Sequence, residues 1–213
     1  MKKALTTFCL LAMSAFSYAQ DMGVTYLNLH YSGAKISQDN SPKLSNQFGA
    51  GFTIGHTYYL HKEPVAGVFR FGIDATWFDI NYNNFKFDYI DYKDRDKTKY
   101  LHQGEVSMHV GPSVTCTPVD RLNIKAYFRY APSFACIYNT KSEKFSCNYA
   151  SMFVGGAAVN YGVIGLGIEA RFGSSKQNEY NFVNVNSDYS HEHDTNKVST
   201  TVSGFRAFIS INF

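Results

Sequence analysis

The last nine residues of the chain, FRAFISINF (205–213), alternate between large apolar and mostly polar side chains. Successive side chains of an extended strand point to opposite faces. One face of this segment therefore carries Phe205, Ala207, Ile209, Ile211 and Phe213. The segment predicts a strand that ends on a large apolar residue, whereas the frayed ends of soluble domains are usually polar.

The same alternation recurs upstream and predicts eight strands in all. The seven other segments are 23–31, 48–59, 68–77, 104–115, 122–130, 149–159 and 162–173. The pattern does not decide which face of 149–159 points outward. Pro112 lacks a backbone donor, so we expect a bulge at that position. The 18 Phe and 16 Tyr against one Trp, with 16 Gly, also favour sheet over helix.

The connections between these segments alternate in length. Short links lie near 61–64, 117–121 and 160–162, and long links near 32–46, 79–100, 137–147 and 173–200. This alternation is typical of an up-and-down barrel with both termini on one side. The fold class is therefore predicted to be all-β, an eight-stranded antiparallel up-and-down transmembrane β-barrel. A soluble sandwich would not require the alternation.

The polar faces of these strands carry charges that would point into the barrel. They are Arg70, Asp74, Glu105, Lys125, Arg129, Glu169, Arg171 and Arg206. The opposite assignment would place arginine or lysine against lipid, at about 2 to 4 kcal/mol each near the bilayer centre. An eight-stranded barrel is narrow enough to be filled by side chains. We expect a mutually paired network that closes the lumen, with a narrow conducting path as the alternative.

The closing strand with its terminal Phe213 resembles that of bacterial outer-membrane β-barrels, in which the barrel assembly machinery recognises this strand. Across 20–213 the pattern resembles the small OmpA-like or OmpX-like eight-stranded barrels. The resemblance implies localisation in the bacterial outer membrane, outer-membrane lipids as partners and a monomer. No peptidoglycan-binding segment is expected after Phe213.

The first 19 residues read as a secretion signal, with Lys2 and Lys3 before an apolar run and Ser17-Tyr18-Ala19 at the cleavage site. We expect one barrel domain over 20–213, with a formal charge of 18 − 17 = +1. A charge this close to zero argues against a nucleic-acid partner. No later segment contains about 18 consecutive apolar residues, so no transmembrane helix is predicted.

Candidate chemistry is sparse. Glu105, Ser107 and His109 share one strand face, but positions two apart are separated by about 6.6 Å, longer than a hydrogen bond. We therefore expect an ordinary polar lining, with a lipid-acting hydrolase as a third alternative. The sequence His191-Glu192-His193-Asp194 could hold a metal, but a solvated loop is favoured, and no catalytic site, metal or cofactor is predicted.

The segment 79–100 interleaves aromatic and charged residues. Its candidate binding residues are Tyr82, Phe85, Phe87, Tyr89 and Tyr92. Such a mixture suits contact with an extracellular protein or glycan. The alternative is a β-hairpin whose lower aromatics form the interfacial belt.

Cys136 and Cys147 flank the third long link, at the outer ends of neighbouring strands. Cys116 belongs to a short turn at the other end of an apolar band about 25 Å tall, beyond reach of either. Export to an oxidising compartment favours a bridge between Cys136 and Cys147 over two free thiols. The leading functional expectation is a non-enzymatic outer-membrane barrel for envelope support or surface binding and adhesion.

Overall fold

The computed structural model describes residues 23–38, 43–89, 97–140, 144–178 and 197–213, and the predicted secretion signal lies outside these ranges. Eight strands form one closed barrel in which each pairs antiparallel with the next and β1 pairs with β8. They are β1 (Gly23–Gln38), β2 (Leu44–Tyr59), β3 (Phe69–Tyr89), β4 (Lys97–Val119), β5 (Leu122–Asn139), β6 (Lys144–Tyr161), β7 (Ile164–Asn178) and β8 (Lys197–Asn212). No helix in the described ranges is long and apolar enough to cross a membrane.

The predicted eight-stranded antiparallel barrel is confirmed. The short links 60–68, 120–121 and 162–163 and both described chain ends lie at one end, called here the inner end. The strands are longer than predicted, up to 23 residues in β4. Both ends of each predicted long link therefore belong to paired strands, because the ladder of backbone hydrogen bonds continues past the apolar band.

The two faces of the barrel are chemically inverted relative to a soluble protein. Large apolar side chains are exposed on the outside, among them Leu166 (64% exposed), Ile168 (67%) and Phe205 (61%). Arg129, Arg206 and Asp79 are buried inside at 1% exposure or less. A closed sheet also leaves no edge strand with unpaired backbone groups, as a bilayer requires. The architecture is that of a membrane-spanning β-barrel of the outer-membrane type.

A bulge in β3 changes the facing of its outer half. The register with β2 and with β4 shifts between Thr76 and Asp79, so Trp77 and Phe78 share one outward position. Both rings are exposed, at 46% and 41%. A bulge inserts one extra residue into one strand. Beyond it, Asp79 and Asn81 point inward, although strict alternation would place them outside.

The prediction of a bulge at Pro112 is wrong. The register between β4 and β5 is the same at Val110↔Tyr130 and at Ser113↔Tyr127, and Pro112 stays paired with Ile73 on β3. The missing donor therefore leaves a gap in the ladder without adding a residue.

The facing of β6, which its sequence leaves open, is settled by the structure. Ala150, Met152 and Val154 point inward and are buried, whereas Phe153 and Val159 are exposed outside. The two faces are equally apolar, so hydrophobicity alone could not separate them.

Cys136 and Cys147 are bonded to each other. They lie directly opposite on β5 and β6, with a Cα–Cα distance of 4.0 Å. Cys116 is free and half-buried on β4, opposite Phe69 near the inner end. The bridge therefore ties the outer halves of β5 and β6 together.

Ile168→Arg should impair insertion of the barrel, because it puts a guanidinium against lipid halfway along the apolar face of β7. We expect a loss of about 2 to 4 kcal/mol in the free energy of unfolding, measured by urea titration in vesicles. Ser174→Arg is the matched control, since Ser174 is exposed on the same face of β7 beyond the apolar residues. Equal losses for both variants would contradict the assigned lipid face.

Alkylation of the denatured, unreduced protein should modify Cys116 and leave Cys136 and Cys147 unmodified. After reduction all three should react, as counted by the mass of the labelled peptides. Modification of Cys136 or Cys147 without reduction would contradict the bridge.

Candidate functional site: the lumen charge network

The lumen at mid-barrel is occupied by charged side chains from strands on opposite walls. Its carboxylates are Asp74, Asp79, Glu105 and Glu169, and its cations are Lys125, Arg129, Arg171 and Arg206. Every carboxylate contacts at least one of these cations. Charges removed from water need such partners, because an unpaired ion in a low-dielectric site is strongly unfavourable.

The central contact joins Arg206 of β8 to Asp79 of β3. Arg206 donates from Nη1 to Oδ2 at 2.6 Å and from Nη2 to Oδ1 at 2.9 Å. Neither side chain is exposed. Thr53 of β2 adds a hydrogen bond to Oδ2 of Asp79 at 2.8 Å. This two-pronged geometry is the strongest form of an arginine–carboxylate contact.

A second group lies around Arg129 of β5. Its guanidinium donates to Oδ1 of Asp74 at 3.0 Å and also to Glu169, and it lies 4.1 Å from the centre of the Tyr127 ring. Lys125 donates to Oδ2 of Asp74 at 2.8 Å. Asp74 is thus held by two cations, and Arg129 links β3 to β7 across the lumen.

The third group pairs Arg171 of β7 with Glu105 of β4. The first two groups are connected as well, since Nη1 of Arg206 lies 3.7 Å from Oε2 of Glu169. The pairs therefore cross the barrel in several directions at mid-height. Opening a path there would require these buried ion pairs to separate.

Arg70 does not belong to this network, contrary to the prediction. It is half-buried, it lies over the Tyr59 ring at 5.3 Å, and no described carboxylate pairs with it. Arg70 sits opposite Thr115 in the first residues of β3, near the inner end. The carboxylates lie further along the lumen. The prediction that Arg70 points inward was therefore correct, but the prediction that it pairs with these carboxylates was wrong.

Asp79 is the functional residue that the sequence pattern missed. The extra residue at Trp77-Phe78 breaks the alternation, so the predicted strand ends there. Asp79 was therefore assigned to the start of a loop. A signal was present in the sequence. Two adjacent aromatics are followed by restored alternation through Asp79, Asn81 and Asn83, all of which are buried.

Ser107 and His109 do touch, contrary to the prediction from backbone spacing. Ser107 Oγ lies 2.9 Å from His109 Nε2, because side chains lean along the strand. The carboxylate of Asp79 is 3.9 Å from the same ring nitrogen, and Glu105 is paired with Arg171. A catalytic triad needs the carboxylate on the other nitrogen, so this arrangement reads as buried polar lining.

An apolar cluster lies in the lumen above the charges, towards the outer end. It consists of Ile36, Leu44, Phe85, Leu101 and Ile137. These side chains come from five neighbouring strands, β1 to β5, and each is buried to 8% exposure or less. We call this cluster the apolar plug.

The plug corrects one predicted binding residue. Phe85 is fully buried inside the barrel and cannot contact an external ligand. Tyr82 lies outside, 38% exposed, with its hydroxyl 2.6 Å from Nδ1 of His102. Phe87 and Tyr89 belong to the outer end of β3, and Tyr92 lies outside the described residues.

The described part of the barrel has an open cavity at its inner end. A cavity of about 230 Å³ lies between Tyr59, Thr115, Asn160 and Asn212, with Lys125 among its lining residues. Two other lumen cavities measure about 10 Å³ each, room for about one water molecule. In the described ranges no three His, Cys, Asp or Glu side chains are grouped to bind a metal, and His191–Asp194 lies outside them.

Phe213, the predicted assembly signal, closes the ladder between β8 and β1. Its backbone exchanges two hydrogen bonds of 2.9 Å with Thr25, and its side chain is 71% exposed on the outer surface. A role in assembly stays a prediction.

No protein-family model and no curated protein matches the chain. Solved structures similar to it include the attachment invasion locus protein Ail of Yersinia pestis, 7% identical, with a TM-score of 0.43 and coverage of 90% of this chain and 99% of that chain. Neisserial surface protein A is 13% identical (TM-score 0.45, coverage 89% and 97%). The outer membrane protease OmpT from Escherichia coli is 10% identical (TM-score 0.45, coverage 91% and 98%). The fold assignment rests on the closed barrel and its two faces.

Asp79→Ala should destabilise the barrel strongly, because it leaves the guanidinium of Arg206 buried without its main partner. The expected loss is about 3 to 5 kcal/mol in the free energy of unfolding, measured by urea titration in vesicles. The double variant Asp79→Leu with Arg206→Met should lose less, since it removes both charges.

Asp120→Ala is the control for this series. Asp120 contacts Arg121 at 3.9 Å in an exposed turn, where an ion pair contributes little. A loss for Asp79→Ala no larger than that for Asp120→Ala would contradict a network that holds the barrel together.

Proposed function

We propose that this protein is a non-enzymatic outer-membrane barrel that is closed to solutes and presents its outer hairpins for surface binding. The observation that carries the proposal is the double seal of the lumen. Ion pairs fill the barrel at mid-height, and the apolar plug lies above them. With its interior filled, the barrel has its outer surface left for function.

The seal argues against the alternative of a narrow channel. The cavity of about 230 Å³ is confined to the inner end and is separated from the outer end by the charge network and by the plug. An ion crossing the barrel would have to displace Arg206 from Asp79 and then pass five buried apolar side chains. Both steps are unfavourable in a low-dielectric interior.

The outer ends of β3 and β4 are the best candidates for surface binding. These are the two longest strands, with 21 and 23 residues, and they stay paired out to Tyr89↔Lys97. A paired hairpin loses less conformational entropy on binding than a free loop does. Its mixture of aromatic and charged residues suits an extracellular protein or glycan as ligand.

Purified protein in planar bilayers should show no single-channel conductance steps. Removal of both seals in one variant, Leu101→Ser with Ile137→Ser and Arg206→Ala, should produce steps if the variant still shifts its gel mobility on heating. Regular steps in the unmodified protein would overturn the proposal and favour the channel.

Surface binding is tested by shortening the β3–β4 hairpin. Replacing 87–99 with an Asn-Gly turn joins Lys86 to Tyr100, which already pair across the strands. Cells that display the shortened protein should lose adhesion to immobilised serum proteins or to glycan arrays that the unmodified protein binds. A matched replacement of 162–163 at the inner end is the control. Equal binding by the shortened protein would exclude this hairpin.

A further inference from the structure

Aromatic side chains cover the outer surface of β5 and β6 near their outer ends. They are Phe134, Tyr138, Phe145 and Tyr149, exposed at 54%, 40%, 69% and 57%. The bridge between Cys136 and Cys147 lies in their midst. We call these four rings and the bridge the aromatic platform.

The platform is built from three neighbouring cross-strand pairs on one face. Phe134 pairs with Tyr149, Cys136 with Cys147, and Tyr138 with Phe145. Each pair is about 7 Å from the next along the strands. The covalent bridge in the central pair prevents β5 and β6 from separating, so the rings are held in a fixed array.

The platform lies just beyond the lipid-facing band. Along β6, the outward positions from Tyr161 to Phe153 cover about 20 Å of height, for a strand tilted by about 40°. An apolar band about 25 Å tall therefore ends near Ser151. Tyr149, Cys147 and Phe145 follow, at the level of the lipid headgroups and above.

The exterior of β7 and β8 is different at the end of the band. The outward positions of β7 and β8 change there to Ser174, Thr201 and Ser203, all exposed. Ser174 pairs with Thr201 and also with Ser151. The aromatic surface thus continues outward on one side of the barrel and stops on the other, so a uniform belt does not account for it.

A shallow groove borders the platform on β4. Gly104 pairs with Cys136 on one side and with Tyr82 on the other, and a Cβ atom added there would meet open space. At this level and above, the described outward side chains of β4, β5 and β6 include no carboxylate, lysine or arginine. The surface offers aromatic rings, hydroxyl groups, the imidazole of His102 and a gap at Gly104.

We propose that the aromatic platform and the Gly104 groove bind the sugar headgroup of a membrane glycolipid. The position selects a lipid, because the platform is continuous with the lipid-facing band and a lipid whose chains cover Phe153 must place its headgroup here. The chemistry selects a sugar. The C–H face of a pyranose packs against aromatic rings as other apolar surface does, and its hydroxyl groups pair with phenol hydroxyls such as that of Tyr138.

A phosphate headgroup fits this surface less well, since the described outward side chains of β4, β5 and β6 at this level include no lysine or arginine. This inference concerns the outer side of the barrel and does not depend on whether the lumen conducts or the β3–β4 hairpin binds a ligand. Its failure is therefore distinguishable from failure of the proposed function.

The test is native mass spectrometry of the full protein in detergent with added galactosyl diacylglycerol, phosphatidylcholine or phosphatidylglycerol. We expect galactolipid adducts about tenfold more abundant than those of either phospholipid, equivalent to about 1.4 kcal/mol. The pair Tyr138→Ser with Phe145→Ser should abolish this preference. Gly104→Leu should abolish it too by filling the groove, and it adds its side chain in open space.

Phe48→Ser is the control, because Phe48 is an outward aromatic on β2, 50% exposed and away from the platform. It should keep the galactolipid preference, and heat-dependent gel mobility verifies that each variant is folded. Equal adducts for all three lipids, or the strongest adducts with phosphatidylglycerol, would overturn the proposal. So would displacement by free methyl galactoside at equal concentration, or a dimer that platform variants abolish, which would indicate a free glycan or a second copy.

Discussion

Pairing of β1 with β8 is the constraint on which the rest of the structure depends. A bilayer offers no partner to a backbone amide, so the sheet must close before it can cross. Closure of only eight strands leaves an interior the width of a few side chains. That interior must be filled, and the side chains that point outward from each strand into the lipid must be apolar. The charge network, the plug and the lipid-facing band all follow from this geometry.

Much of the fold was predictable from the sequence because a strand has the simplest periodicity. Alternation places Glu169 and Arg206 inside and Ile168 and Phe205 outside, and the structure agrees. The network itself needs distances that no sequence pattern contains. Arg206 and Asp79 are separated by 127 positions and meet only because the barrel closes.

The errors have three different physical causes, and the alternation of side chains along a strand reports none of them. One extra residue at Trp77-Phe78 reversed the facing of Asp79. Phe85 lies on a part of β3 beyond the predicted strand, where the barrel continues and its interior is apolar. The contact of Ser107 with His109 depends on how side chains lean, which backbone spacing does not describe.

The charge network and the apolar plug depend on interactions that respond oppositely to temperature. Hydrophobic association weakens on cooling, so the apolar plug is weakest in the cold. The penalty for dehydrating charges falls on heating, so the ionic network gains relative strength where other interactions fade. In the proposed closed barrel, the two seals lie in series along one axis and together tolerate a wider range of temperature than either could alone. This range matters for a protein at the cell surface, because the temperature there is set by the surroundings.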